Sequence, residues 1–228
     1  MHGRCCLPMI LSFFATNALV VNGAVWSRNP NTYYCSKWSP LDEPYISNTV
    51  PPVALTHIFC GQLKIYHGPR GVEVSAEGFH SRPGNRNPKS AIIDTTNDQI
   101  SILGNPAQHC PYKVKAMYVK ILDAKWGSWV PRTDDPRRDF IFFPPSWQKN
   151  YLVNEIINVY NICSGTGNRN CVRYETNRRL TQICLRNYIY QGCFTKNRQG
   201  QYQSAFRIFL SWRGTGYLVV TAFPDEDC

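Results

Sequence analysis

Apolar and polar positions along the chain change period several times, and each change marks an element. Between Trp147 and Ile162 the apolar residues Leu152, Ile156, Val159 and Tyr160 recur at helical spacing, which predicts an amphipathic helix with Ser146 placed to cap its start. In YKVKAMYVKIL, residues 112–122, Val114, Ala116 and Tyr118 alternate with Lys113 and Lys115, the pattern of one two-sided strand. DFIFFPPSW, 139–147, reads as an apolar strand that runs into Pro-Pro. SAFRIFLSWRGTGYLVVTAFP, 204–224, reads as a closing hairpin that turns at Gly214–Gly216. Residues 56–80 suggest another hairpin, 79–90 a polar basic loop, AIIDTTNDQISILG a segment ending in a short strand, and 126–138 a loop. One helix followed by antiparallel strands predicts an α+β fold, a helical element packed on antiparallel sheet.

The ends of the chain follow other rules. Residues 1–24 read as a secretory signal: Arg4, then a mostly apolar run from Leu7 to Val21, then Ala24 before the expected cut. That run is short and broken by Ser12, Thr16 and Asn17, so no membrane insertion is expected. Residues 25–55, rich in Pro, Asn, Ser and Tyr, predict an irregular arm pinned by Cys35, and 56–228 the folded domain. Ten cysteines occur, eight of them after residue 24, and an even count behind a secretory signal predicts disulfides and a secreted protein. Their pairing is open, and their spacing lacks the CxxC pairs of a zinc site. Four of them crowd residues 163–203, which are expected to form a disulfide-stapled insertion rather than a second domain. The formal net charge of +10 suits a polyanionic partner such as nucleic acid, acidic glycan or anionic membrane.

Three of the five histidines fall in THIFCGQLKIYHGPRGVEVSAEGFHSRPG, residues 56–84. A hairpin centred between Gly68 and Pro69 would pair Leu63 with Val74, Ile65 with Val72, and His57 with His80. Two facing imidazoles suit RNA cleavage by its own 2′-hydroxyl. One ring takes that proton, the other protonates the leaving 5′-oxygen, and a pKa near 6.5 lets histidine do either near neutral pH. A cation or hydrogen-bond donors must then stabilise the charge that builds on phosphorus. Gly78, beside His80, suggests a bulge or room for a ligand backbone, and His67 a solvated turn residue. Arg82, Arg86 and Lys89 follow His80 as a basic rim suited to RNA phosphates.

HIFCGQ…GFHSRPG, then FIFFPPSWQ ahead of the helix, then GYLVVTAFP, occur in an order that resembles the EndoU endoribonuclease superfamily. The likeness is closest to the bacterial-type EndoU domain of contact-dependent toxins and more distant to the coronavirus uridylate-specific endoribonuclease. It covers roughly 56–92, 138–162 and 205–224. It implies cleavage 3′ of uridylates to 2′,3′-cyclic phosphate ends, with no metal required or with manganese stimulation. His57 and His80 match the two catalytic histidines, with His57 as acid and His80 as base. Thr221 and Phe223 match the T-x-[YF]-P element beside the substrate base, Thr221 holding phosphate or base and Phe223 stacking on it. Tyr217, on the same segment, is expected as a further substrate contact. The family's lysine ahead of FFP is absent here; Arg137-Arg138-Asp139 stands in its place, and Arg138 is the expected cation. The missing lysine leaves a second expectation open, a secreted RNA- or polyanion-binding protein that has lost catalysis on the same scaffold.

Overall fold

The computed structural model of the protein describes residues 20–21, 24–25, 46–69, 71–94, 100–104, 107–123, 126–133, 135–165, 167–177, 180–190, 193, 195–196 and 202–228. In chain order the strands are β1 (Val20–Val21), β2 (Ala24–Val25), β3 (Gln62–Gly68), β4 (Gly71–Glu77), β5 (Ala91–Ile93), β6 (Ile100–Ile102), β7 (Tyr112–Lys115), β8 (Val119–Asp123), β9 (Ser128–Pro131), β10 (Asp139–Phe142), β11 (Cys171–Asn177), β12 (Leu180–Arg186), β13 (Thr195–Lys196), β14 (Tyr202–Gln203), β15 (Ala205–Trp212) and β16 (Tyr217–Asp225). The helices are α1 (Leu55–Phe59) and α2 (Lys149–Ser164). The described strand pairs are antiparallel and build sheets in the orders β1-β2-β3-β4, β5-β8-β9, β10-β7-β6, β11-β12-β15-β16 and β13-β14. The fold is α+β, as the alternation of periods predicts.

Helix α2 forms where the helical period lies and buries Leu152, Val153, Ile156 and Val159 against β11, β12 and β15. Its N-cap is Gln148, which makes no side-chain cap. Ser146 does not cap the helix; its hydroxyl meets the Nδ1 of His109 at 3.0 Å. The closing hairpin forms as β15 and β16, with Phe206, Ile208 and Leu210 facing Pro224, Ala222 and Val219 on the core side. Between Phe209 and Leu210 the register of β16 shifts by one, leaving Val220 as an extra residue. That bulge resets the alternation, so Val219 and Ala222, three apart, both enter the core while Thr221 and Phe223 face away from it.

Four further expectations are corrected. Residues 112–122 are not one strand: Ala116–Tyr118 form a tight turn, Ala116 donates its N–H to the carbonyl of Arg138, and β7 and β8 join different sheets. The expected loop 126–138 contains β9, an edge strand on which Pro131 costs no ladder bond. Residues 163–203 are not an insertion beside the domain: β11 and β12 make half of the largest sheet, and Ile183 and Leu185 are core residues. The first hairpin is shorter than expected and shifted, with Leu63 opposite Ala76 and Ile65 opposite Val74, because Gly68 and Gly71 pair to close a two-residue turn.

Cystines join Cys110 to Cys193, Cys163 to Cys171 and Cys184 to Cys228, and Cys60 is also disulfide-bonded. Cys228 is thus tied to β12. Cys35, most of the expected signal and residues 26–45 of the expected arm lie outside the described residues. Among the described residues no helix is long and apolar enough to cross a membrane.

Buried side chains gather in two clusters. One joins α1, α2, β12, β15 and β16 around Phe143, Trp147 and Phe206; the other joins β7, β8 and β10 around Phe79, Tyr112 and Phe142. Phe142 and Phe143 are neighbours in sequence yet belong to different clusters, so the FFP stretch is the seam. At that seam the Phe143 N–H donates to the carbonyl of His80, at 2.9 Å.

Candidate active site

His57 is on α1 rather than on a strand. The helix is anchored at its start, where Ala54 donates to the Val219 carbonyl (2.8 Å) and Val219 donates to that of Pro52 (2.9 Å). This places α1 at the edge of β16. His80 follows β4 on an irregular segment that crosses directly over α1. There Phe79 N–H donates to the His57 carbonyl and His80 N–H to the Ile58 carbonyl, each at 2.7 Å.

Two residues make this crossing feasible. Gly78 has φ of +77°, and a Cβ there would lie 2.1 Å from the His57 carbonyl oxygen. The room beside His80 therefore receives the backbone of His57, not a ligand. Phe79 also has positive φ, 63°, rare for a bulky residue. Its ring is fully buried, edge-on to Phe142 with centroids 5.4 Å apart, which holds the strained backbone in place.

The histidine rings thus converge, with centroids 5.8 Å apart, although not as cross-strand neighbours. His57 is 9% exposed and His80 4%. The Gln62 amide donates to His57 Nδ1 at 2.9 Å, so in the neutral ring the proton sits on Nε2. His80 Nδ1 is buried with no hydrogen-bond partner. Burial is the main force on both rings and pushes their pKa values down, to about 3 for His57. The positive charge of Arg132 acts in the same direction on both, with Lys64 adding to it at His57 and His57 adding to it at His80.

Phe223 and Thr221 come to the site through the bulge. The Phe223 ring stacks on His80, with centroids 5.2 Å apart and planes 25° from parallel, and is backed by Phe209 at 5.9 Å. Thr221, two residues earlier on the same face, has a buried hydroxyl without a partner. His57, His80 and Phe223 thus gather at one place, and Thr221 lies two residues before Phe223 on the same strand.

The remaining candidates lie apart. Arg138 is exposed, and its contribution to the fold is the carbonyl that receives Ala116 N–H. Tyr217 starts β16, six residues from Phe223, or about 20 Å along an extended strand. Its hydroxyl takes a hydrogen bond from Arg173 and its ring meets Trp212. Arg82 is buried behind His80, donating to the Asn85 carbonyl at 2.9 Å and lying against Tyr112, while Arg86 and Lys89 are exposed on the following loop. The side chain of His67 lies outside the described ones. His109 pairs with Ser146 and Gln108. Among the described residues no group of three or more His, Cys, Asp or Glu is placed to hold a metal ion.

The sequence reading missed Gln62 and Arg132. Arg132 extends the ladder of β9, its N–H bonding to the Val119 carbonyl at 2.9 Å. Alternation puts it on the face of Val130, turned inward. Reading SWVPR as a short strand would have found it. Comparisons with protein-family models, curated proteins and solved structures return no match to this chain.

Proposed function

We propose that this protein is a secreted endoribonuclease of EndoU type that cleaves single-stranded RNA at uridylates and leaves 2′,3′-cyclic phosphate ends. The observation that carries the reading is the pair of imidazoles 5.8 Å apart, with the aromatic ring of Phe223 stacked on one of them and, two residues earlier on the same strand, the buried unpartnered hydroxyl of Thr221. The disulfides favour an oxidising compartment.

In this reaction His80 takes the proton of the 2′-hydroxyl while that oxygen bonds to phosphorus. The bond from phosphorus to the 5′-oxygen breaks, and protonated His57 gives the leaving oxygen its Nε2 proton. The Gln62 contact turns Nε2 outward, and the Gln62 amide must present its oxygen to Nδ1 once His57 is protonated on both nitrogens. Thr221 donates to a phosphate oxygen or to the base, and Phe223 offers a π face for stacking. Among the described residues no third His, Cys, Asp or Glu joins the two histidines to hold a manganese ion.

One observation favours the rival reading of binding without cleavage. Burial and the Arg132 charge keep both rings neutral in the free protein, whereas the acid must be protonated. An arriving phosphate opposes that effect with its own negative charge, so the rival is decided by product and not by binding. The test incubates the mature protein with uridine-containing RNA, with and without manganese or EDTA, and resolves product ends. His57→Ala and His80→Ala are each expected to lose 10²–10⁴-fold in rate. Full activity in either variant overturns the mechanism, and retained RNA without cyclic phosphate establishes the rival.

A further inference from the structure

We infer that Arg132 makes the histidine pocket a binding site for a phosphate-type oxyanion. Its Nε and Nη1 are buried and have no hydrogen-bond partner, an arrangement that costs stability unless a ligand completes it. The planar face of its guanidinium is taken, with the central carbon 3.4 Å from the centroid of the Phe140 ring. Its Nε–H and Nη1–H lie in the guanidinium plane, on different edges of it, and are the donors left open to an oxyanion. Another unpartnered group, His80 Nδ1, belongs to a ring on which the Arg132 charge acts.

The charges around it agree. Glu77 attracts Arg132, but its carboxylate is already bound by Lys64, at 2.9 Å. Lys64 and Arg132 both act on His57, and Arg132 acts on His80, so the described charges bearing on the rings are positive. Burial holds the Arg132 pKa down to about 9, leaving it cationic at neutral pH. Arg138, the cation expected from position alone, is exposed and is not among the groups acting on either ring.

The assignment deepens the proposed reaction by naming the group that meets the phosphate, yet it requires only that an oxyanion bind. Inorganic phosphate and a 2′-deoxy dinucleoside phosphate, which lacks the attacking hydroxyl, are titrated separately by calorimetry and by thermal unfolding. Wild-type protein is expected to gain about 5–10 °C in unfolding temperature at a hundred times Kd. Arg132→Met is expected to lose at least tenfold in affinity while unfolding no earlier than wild type without ligand, because it removes a buried, incompletely bonded charge. Arg132→Lys, which keeps the charge and loses the planar set of donors, is expected to lose affinity in the same sense; Arg138→Ala is expected to bind as wild type does. In wild-type protein the Arg132 Nε–H resonance is expected to move on titration. Tighter binding of the dinucleoside assigns the site to an RNA linkage, and tighter binding of inorganic phosphate assigns it to a terminal or free phosphate. Equal affinity in Arg132→Met and wild type, or no binding of either anion by wild type, overturns the inference. RNA cleavage can fail while phosphate binding survives, so the two proposals fall separately.

Discussion

At the scale of single residues, the close approach of two histidines has a thermodynamic consequence. An unfolded chain protonates His57 near its ordinary pKa of 6.5, but the native state holds it at about 3. Between those values the unfolded state binds a proton that the native state refuses, so stability falls as pH drops through that window and is complete above it. His57 alone accounts for about 5 kcal/mol across the full range, and His80 acts in the same direction. The urea midpoint should therefore be level from pH 8 to 7 and decline below 6.5, with a shallower decline in His57→Gln; a level midpoint down to pH 4 contradicts the neutral pair. Phosphate should raise the titration of both rings, read from their imidazole proton resonances. Gly78→Ala is the second residue-scale prediction. It forces a Cβ to within 2.1 Å of the His57 carbonyl at φ of +77°, and it should cost at least about 3 kcal/mol in urea unfolding.

At the scale of elements, the bulge in β16 connects core packing with the site. It lets one strand put Val219, Ala222 and Pro224 inside and still present Thr221 and Phe223 on the other face. Phe223→Ala should leave the fold intact and weaken the preference among bases, measured as the ratio of cleavage rates at uridine and cytidine sites. Helix α2 supports the sheet from its other side. Ile156→Ala, at a fully buried position, should cost about 2–5 kcal/mol in urea unfolding. The helix was legible in sequence because its apolar stripe is long enough to register a period of 3.6. Helix α1 was not: LTHIF has five residues, too few to show a period, and it is helical because its ends are held by β16 and by the crossing at Phe79.

At the scale of the whole molecule, two hydrophobic clusters meet at Phe142 and Phe143, and the histidine segment crosses there. Cross-links span the chain unevenly, with separations of 83 for Cys110–Cys193, 44 for Cys184–Cys228 and 8 for Cys163–Cys171. By chain entropy, replacing each pair with serine should cost about 4–5, 4 and 2–3 kcal/mol in that order, read from denaturant midpoints. The reverse order would show that native strain governs instead. A net charge of +10 adds a field over all of this, so RNA retention should weaken steeply between 50 and 200 mM salt.

By itself the sequence determined the elements with long, regular patterns: α2, β10, the β15–β16 hairpin and the fact of oxidised cysteines. It also carried the identity of the two histidines, because chemistry-bearing residues are visible without a fold. What it could not carry was how they meet. The symmetry about Gly68–Pro69 suggested cross-strand neighbours, whereas a two-residue turn shifted the register and His57 folded into a short helix. Only the tertiary structure brought the rings together, through backbone hydrogen bonds from Phe79 and His80 to residues 57 and 58. The same holds for the cation. On the proposed reading that cation is Arg132 and not Arg138, because strand alternation turns Arg132 inward, and the burial of its Nε and Nη1 is a property of the packed chain that no local pattern encodes.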